Sequence, residues 1–119
     1  MANTPISWQY VSGFFDGEGS IYIAQSNYSH PNYYKGTEKG YVRLNMSITN
    51  KEVLETIKEF VGAGYITSPI RKDWKPQWKV VHQLTIYSRG DIKRILIAML
   101  PYLIVKKAKA EQIVNERFQ

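Results

Sequence analysis

The clearest regularity along the chain is a two-residue period between Tyr41 and Asn50, where Val42, Leu44, Met46 and Ile48 alternate with Tyr41, Arg43, Asn45, Ser47 and Thr49. Successive side chains of a strand point to opposite faces, so this pattern predicts a strand with one face in a core and the other polar. Ser20 to Ser26 alternates likewise, with Ile21 and Ile23 against Tyr22 and Ala24. A second pair of strands is predicted over Tyr65 to Arg71 and Trp78 to Tyr87, separated by a Lys-Asp-Trp-Lys-Pro turn. In the latter strand Val80, His82, Leu84 and Ile86 share one face, while Lys79, Val81, Gln83, Thr85 and Tyr87 share the other. Helical spacing dominates Lys51 to Val61, where Val53, Leu54, Ile57, Phe60 and Val61 form an apolar stripe that Gly62 or Gly64 can terminate. Thr4 before Pro5 predicts an N-cap with proline at the first helical position, opening an apolar helix that runs to about Phe15 and ends in Asp16-Gly17-Glu18-Gly19. Asn27 to Gly40 reads as a long connection. Asp91 to Leu100 is expected as a helix stopped by Pro101, and Tyr102 to about Arg117 as a last, more charged helix.

The predicted order is helix, strand, strand, helix, strand, strand, helix, helix, an α+β arrangement. It contains a short repeat. Phe15-Asp16-Gly17-Glu18-Gly19-Ser20-Ile21 and Phe60-Val61-Gly62-Ala63-Gly64-Tyr65-Ile66 share a Phe-x-Gly-x-Gly-x-Ile frame at the same helix-to-strand junction. The second copy carries Val61 and Ala63 where the first carries its two acids.

Length and composition narrow what such a fold can do. The chain has 119 residues, within the usual range for one domain, with 44% apolar and 22% charged residues. Residues 1–119 are therefore expected to form a single domain. Sixteen Lys plus Arg against ten Asp plus Glu give a net charge of +6, which favours an anionic partner. With no cysteine, disulfide frameworks, thiolate zinc sites and cysteine nucleophiles are all excluded. The two histidines, His30 and His82, belong to no metal motif, so any metal is expected to be hard and oxygen-bound. The longest apolar run, Ile95 to Val105, is too short for a bilayer and carries Pro101. MANTPISWQY lacks the pattern of a secretory signal, so an intracellular location without a membrane partner is expected.

The charge is unevenly placed. No Lys or Arg occurs from Met1 to Tyr34, where Asp16 and Glu18 stand as the only charged residues. From Thr67 to Arg89 the balance reverses, with Arg71, Lys72, Lys75, Lys79 and Arg89 against Asp73 alone. One stretch suits a cation and the other an anion.

Three readings compete for Asp16-Gly17-Glu18-Gly19-Ser20. A calcium loop of the EF-hand type requires glycine sixth and an acid twelfth, positions held here by Ile21 and Asn27. A dinucleotide fingerprint follows a strand and opens a helix, whereas this segment does the reverse and lacks the third glycine. A plain glycine C-cap followed by a solvated acid stays open.

The wider segment, Val11-Ser12-Gly13-Phe14-Phe15-Asp16-Gly17-Glu18-Gly19-Ser20, resembles the eponymous motif of the LAGLIDADG homing endonucleases, and the resemblance extends over Leu44 to Lys51 and Pro101 to Lys106. It implies the αββαββα fold of that family, an antiparallel sheet saddle with helices packed on one face. It also implies a site-specific double-strand DNA endonuclease that works as a homodimer on a long pseudo-palindromic target and leaves 5′-phosphate and 3′-hydroxyl ends. Magnesium is the implied ion, with manganese a possible substitute. Glu18 matches the family's metal-binding acid, and the Gly17 carbonyl is an implied further ligand. Gly13 and Gly17 stand four apart on one helical face, where a neighbouring helix can approach closely. With Phe14 and Asp16 they are the implied dimer interface, Asp16 in a capping or tying role.

Two further catalytic positions follow from the resemblance. Asn50, at the end of the second strand, matches a polar residue that orients water, although an N-cap role is equally open. Lys106, five residues after Pro101, matches a basic active-site residue and sits beside Lys107 and Lys109. The polar strand faces are the expected DNA-reading surface, through Ser26, Tyr28, Arg43, Asn45, Ser47, Thr67, Arg71, Lys79, Gln83 and Thr85. Lys35, Lys39, Lys72 and Lys75 in the turns are expected to contact phosphate. Alternatives are an RNA-splicing maturase, whose partner would be intron RNA, a DNA-binding module of this fold without nuclease activity, and a basic protein-interaction domain.

Overall fold

The computed structural model describes residues 6–24, 40–70 and 73–118. Its elements run α1 (Trp8–Glu18), β1 (Gly19–Ala24), β2 (Tyr41–Ile48), α2 (Lys51–Val61), β3 (Tyr65–Thr67), β4 (His82–Ile86), α3 (Arg89–Met99), a 3₁₀ turn (Leu100–Tyr102) and α4 (Lys107–Arg117). The strands form one antiparallel sheet in the order β1-β2-β4-β3. That order is unchanged if the two hairpins trade places, which fits the repeated frame at the head of each.

Register settles which residues meet. Ile21 faces Leu44 and Ile23 faces Val42, while Leu44 also faces Ile86 and Met46 faces Leu84. These apolar pairs lie on the face covered by α1, α2 and α3. Phe15, Leu44, Met46, Leu54, Ile57, Leu84, Ile86, Ile92, Ile95, Leu96 and Met99 are fully buried there. Each such side chain contributes about 1.5–3 kcal/mol over its exposed state, so this layer fixes the register of every strand.

Helix α1 starts later than expected. Ser7 is its N-cap, accepting the Tyr10 N–H at 3.1 Å. Thr4 and Pro5 lie outside the described residues. The helix also continues past Phe15, so Asp16, Gly17 and Glu18 occupy its last turn. Val11 and Phe15 enter the core, and the buried Ser12 hydroxyl donates to the Met99 carbonyl of α3 at 3.4 Å. Helix α2 has the predicted bounds and closes on Gly62 in the left-handed region at φ 73°. Arg94 of α3 donates to the Val61 carbonyl at 2.8 Å, satisfying one of the acceptors left at that helix end.

Three predicted elements are shorter. β3 stops at Thr67 and β4 begins at His82, so the segment between them is a long basic connection. The last helix begins at Lys107 instead of Tyr102, because the 3₁₀ turn with Pro101 ends in extended Leu103 and the chain must bend again before a helix can restart. Among the described residues no helix is long and apolar enough to cross a membrane.

Candidate metal and DNA interface

The acidic end of α1 is built by contacts between segments far apart in sequence. The Asp16 carboxylate accepts three backbone N–H groups, from Ile104 at 2.7 Å, Val105 at 3.2 Å and Lys106 at 3.0 Å. Partial burial pushes this carboxyl up, but the amides of Ile104, Lys106 and Val105 and the Lys106 charge outweigh it, so the group sits below its ordinary value. Asp16 therefore ties α1 to the approach of α4 within its own chain. In return the Lys106 ammonium donates to the Asp16 carbonyl at 2.6 Å and lies 5.9 Å from the centre of the Phe15 ring. Helix α1 has no basic residue in its last turn, so Lys106 supplies the positive charge that a helix C-terminus favours.

Glu18 and Gly17 lie beside this clasp, both exposed. The Gly19 N–H occupies the Phe15 carbonyl and Lys106 occupies that of Asp16, which leaves the Gly17 and Glu18 carbonyls next in line. Among the described residues no cation pairs with the Glu18 carboxylate, and no three His, Cys, Asp or Glu residues are grouped to hold a metal. An exposed carboxylate and carbonyl oxygens at the negative end of a helix form a donor set that fits a hard divalent ion such as magnesium.

Asn50 lies at the same end of the first hairpin, since Gly19 pairs with Met46 and Asn50 follows four residues on. Its side chain accepts the Val53 N–H at 3.2 Å and caps α2. The N-cap role is the one its contacts show.

The outer face of α1 carries the remaining motif residues. Tyr10 and Gly13 are exposed there, Gly17 follows one turn later, and Phe14 is half-buried. Among the described residues, a Cβ added at Gly13 or Gly17 would meet no atom of a neighbouring element within 4 Å. No contact among the described residues thus bars a Cβ at these two positions.

The sheet face opposite the helices gathers most of the described DNA-reading candidates. Asn45 faces Ser20 on one side and Thr85 on the other, Arg43 faces Tyr22, and Ser47 and Thr67 both face Gln83. The Ser47 hydroxyl donates to Asn45 Oδ1 and Asn45 Nδ2 donates to Thr85 Oγ1, each at 2.9 Å. Thr85 is only 5% exposed, lying between Asn45 and Tyr65, so it can act on a ligand only through Asn45. Arg43 donates to the carbonyls of Val42 at 2.9 Å and Tyr87 at 3.4 Å, with the Tyr41 and Tyr87 rings each 5.1 Å from its guanidinium carbon. Tyr22, Tyr41, Tyr65 and Tyr87 were not among the expected contacts, although the two-residue period puts Tyr22, Tyr41 and Tyr87 on this face.

The connection before β4 holds Lys75 and Lys79, both exposed. Lys75 lies 5.8 Å from the centre of the Trp78 ring, which packs edge-on against Trp74. Ser26, Tyr28, Lys35, Lys39, Arg71 and Lys72 lie outside the described residues.

Residues 11–112 match the family model of the LAGLIDADG endonucleases. The chain belongs to the LAGLIDADG endonuclease family. None of the curated protein sequences matches it. Among solved structures, the homing endonuclease I-CvuI bound to its target in 2 mM calcium aligns with a TM-score of 0.66 at 22% identity, covering 91% of this chain and 63% of that one. The archaeal intron-encoded I-Vdi141I in complex with DNA gives 0.67 at 23% identity, over 91% and 64% of the respective chains. The meganuclease I-SmaMI bound to DNA gives 0.70 at 18% identity, over 97% of this chain and 37% of that one. These likenesses establish the LAGLIDADG fold. The chain spans less than two thirds of the length of each of these three relatives.

Proposed function

We propose that this protein is a site-specific double-strand DNA endonuclease, acting as a homodimer on a long, roughly palindromic target with a divalent ion at each acid. The observation that carries the reading is the exposed Glu18 carboxylate at the end of α1, set beside Lys106 and the edge of a polar sheet face that carries Arg43. The solved relatives were captured on DNA, and I-CvuI was studied with calcium and with magnesium, which supports the same ligands here.

The phosphodiester resists attack because nucleophile and phosphate are both electron-rich. Glu18 and the Gly17 carbonyl would hold a divalent ion, which when bound would supply charge neutralisation of the phosphate and acidification of water. The protein's own contribution is placement. Lys106, anchored on the helix terminus, adds a fixed positive charge at the acidic end, and the sheet face holds the duplex so that its backbone runs past Glu18. Lys75 and Lys79 in the long connection supply phosphate contacts, which give affinity and strong salt dependence.

The dimer reading rests on the open α1 face. Gly13 and Gly17 permit a second helix to approach closely, and the second frame has Ala63 in place of an acid, so two strand cuts require two chains. Incubating the protein with a randomised duplex library and magnesium tests the whole reading. Recovery of cleaved, two-fold symmetric sites is expected. Sequence-selective binding without any cleavage would leave only a DNA-binding module.

A further inference from the structure

The reading face of the sheet carries two side chains whose hydrogen-bonding capacity is partly used within the sheet, and what remains free differs in kind. An amide has two acceptor sites on its oxygen and two N–H donors. In Asn45 the oxygen accepts once from Ser47 and the nitrogen donates once to Thr85. Hydroxyls both donate and accept, so reversing the amide would reverse both bonds and leave the outcome unchanged. In either orientation Asn45 is held at both ends of its amide and retains one acceptor site and one donor. Adenine presents the complement of this pair in the major groove, an N6–H donor next to the N7 acceptor, whereas guanine presents two acceptors.

Arg43 leaves a different remainder. Its Nη1 donates to two backbone carbonyls, and the Tyr41 and Tyr87 rings stand close to its guanidinium. Nη2 and Nε keep donors and the group has no acceptor, which matches the O6 and N7 acceptors of guanine. Fixing these side chains before binding removes part of the ordering cost that a free arginine or asparagine would incur.

Their spacing along β2 adds a geometric statement. Residues two apart on one strand face are separated by about 6.6–6.8 Å, close to twice the 3.4 Å rise of a base pair. Asn45 lies opposite Ser20, two residues from Glu18, and Arg43 lies opposite Tyr22, further from that acid. We propose that Asn45 and Arg43 are specificity-determining residues, Asn45 selecting an adenine in each half-site and Arg43 a guanine about two base pairs further from the cut. Ser47 and Thr85 are positioning residues for Asn45.

The inference rests on the DNA-binding reading, and the test separates the two. The full-length protein and its variants are each used to select bound sequences from a randomised duplex library in calcium, and the retained pools are sequenced. The wild type is expected to show adenine and guanine at two such positions of each half-site. Asn45→Ala should lower the adenine preference about ten- to a hundredfold and leave the guanine in place. Arg43→Lys, which keeps the charge but not the planar fork, should erase the guanine preference while the salt dependence of binding stays the same. Ser47→Ala should weaken the adenine preference several-fold, and Ser47→Thr should restore it. A wild-type pool with a clear symmetric motif that both Asn45→Ala and Arg43→Lys reproduce at every position overturns the inference and leaves the endonuclease reading standing. No enrichment by the wild type overturns both.

Discussion

Lys106 and Asp16 hold each other twice, the Lys106 N–H donating to Asp16 Oδ1 at 3.0 Å and the Lys106 ammonium donating to the Asp16 carbonyl at 2.6 Å. The two residues are 90 positions apart in the chain. Their clasp joins the end of α1, two residues before Glu18, to the start of α4. Its removal should therefore be felt both in stability and at the proposed metal-binding end.

Asp16→Asn should destabilise the protein by about 1–3 kcal/mol, since the amide keeps one accepting oxygen but turns its NH2 donor towards at least one of the three N–H groups that converge on the carboxylate, and loses the charge. The pH dependence has a defined sign. The folded value is depressed, so the Asp16 contribution is complete above the ordinary value of 3.8 and is lost as pH falls through the lower folded value. Urea denaturation at a series of pH values should show an acid limb below about pH 4 that is shallower in Asp16→Asn than in the wild type.

Lys106→Met removes the ammonium and keeps the backbone bond to Asp16. The expected loss of stability is about 1–2 kcal/mol, from one charge-assisted hydrogen bond. Cleavage at a temperature well below the unfolding transition should fall much further than DNA binding does. Equal losses in binding and cleavage would confine Lys106 to holding the fold.

Glu18→Gln should leave the unfolding temperature near that of the wild type, because the side chain is exposed and has no cation partner among the described residues. Target binding should persist while magnesium-dependent cleavage disappears. Wild-type cleavage by this variant would remove Glu18 from the chemistry.

Gly13→Leu should weaken dimerisation without unfolding the chain, since Gly13 is exposed and a Cβ there meets open space among the described residues. Sedimentation over a range of concentrations, with circular dichroism as a control for folding, separates these effects. An unchanged dimer would place the interface elsewhere.

The two glycines after α2 should respond unequally to alanine. At Gly62 the φ of 73° is unfavourable but the space is open, so a cost of about 1–2 kcal/mol is expected. At Gly64, with φ 108°, the new methyl would meet Leu84 Cδ1 at 2.7 Å, Ile86 Cδ1 at 2.8 Å and the Thr85 carbonyl at 3.2 Å. Strain and overpacking together suggest about 2–4 kcal/mol at that position. Thermal denaturation of the two variants measures the difference.

The sequence pattern announced β2, α2 and the two faces of the sheet because burial imposes a strict period on residues such as Leu44 and Ile57. It did not announce where α1 begins, because Ser7 and Thr4 are both acceptable N-caps and the proline after Thr4 favours the earlier one, whereas the side chain that accepts the Tyr10 N–H is that of Ser7. The Asp16 clasp was legible only as a capping role. Its donors are the backbone groups of Ile104, Val105 and Lys106, and no side-chain pattern marks an amide that waits for a distant carboxylate. The short β3 and β4 followed from the same difficulty, since an alternating sequence such as Lys79 to Tyr87 states which face a residue would take, not whether a partner strand extends that far.

The chain of hydrogen bonds from Ser47 through Asn45 to Thr85 bears on how such a protein could acquire a new target. Among the described residues Ser20, Tyr22 and Gln83 share the face with no side-chain hydrogen bond tying them down, so substitutions there should alter base preference with less coupling than at Asn45. Asn45 has no such freedom. A change at this position strands a hydroxyl on one side and the nearly buried Thr85 on the other, so a useful replacement must arrive together with changes at both neighbours. Evolution towards, or engineering of, another site is expected to be epistatic at the base pairs read by Asn45 and by Arg43, which the Tyr41 and Tyr87 rings flank, and more nearly modular elsewhere.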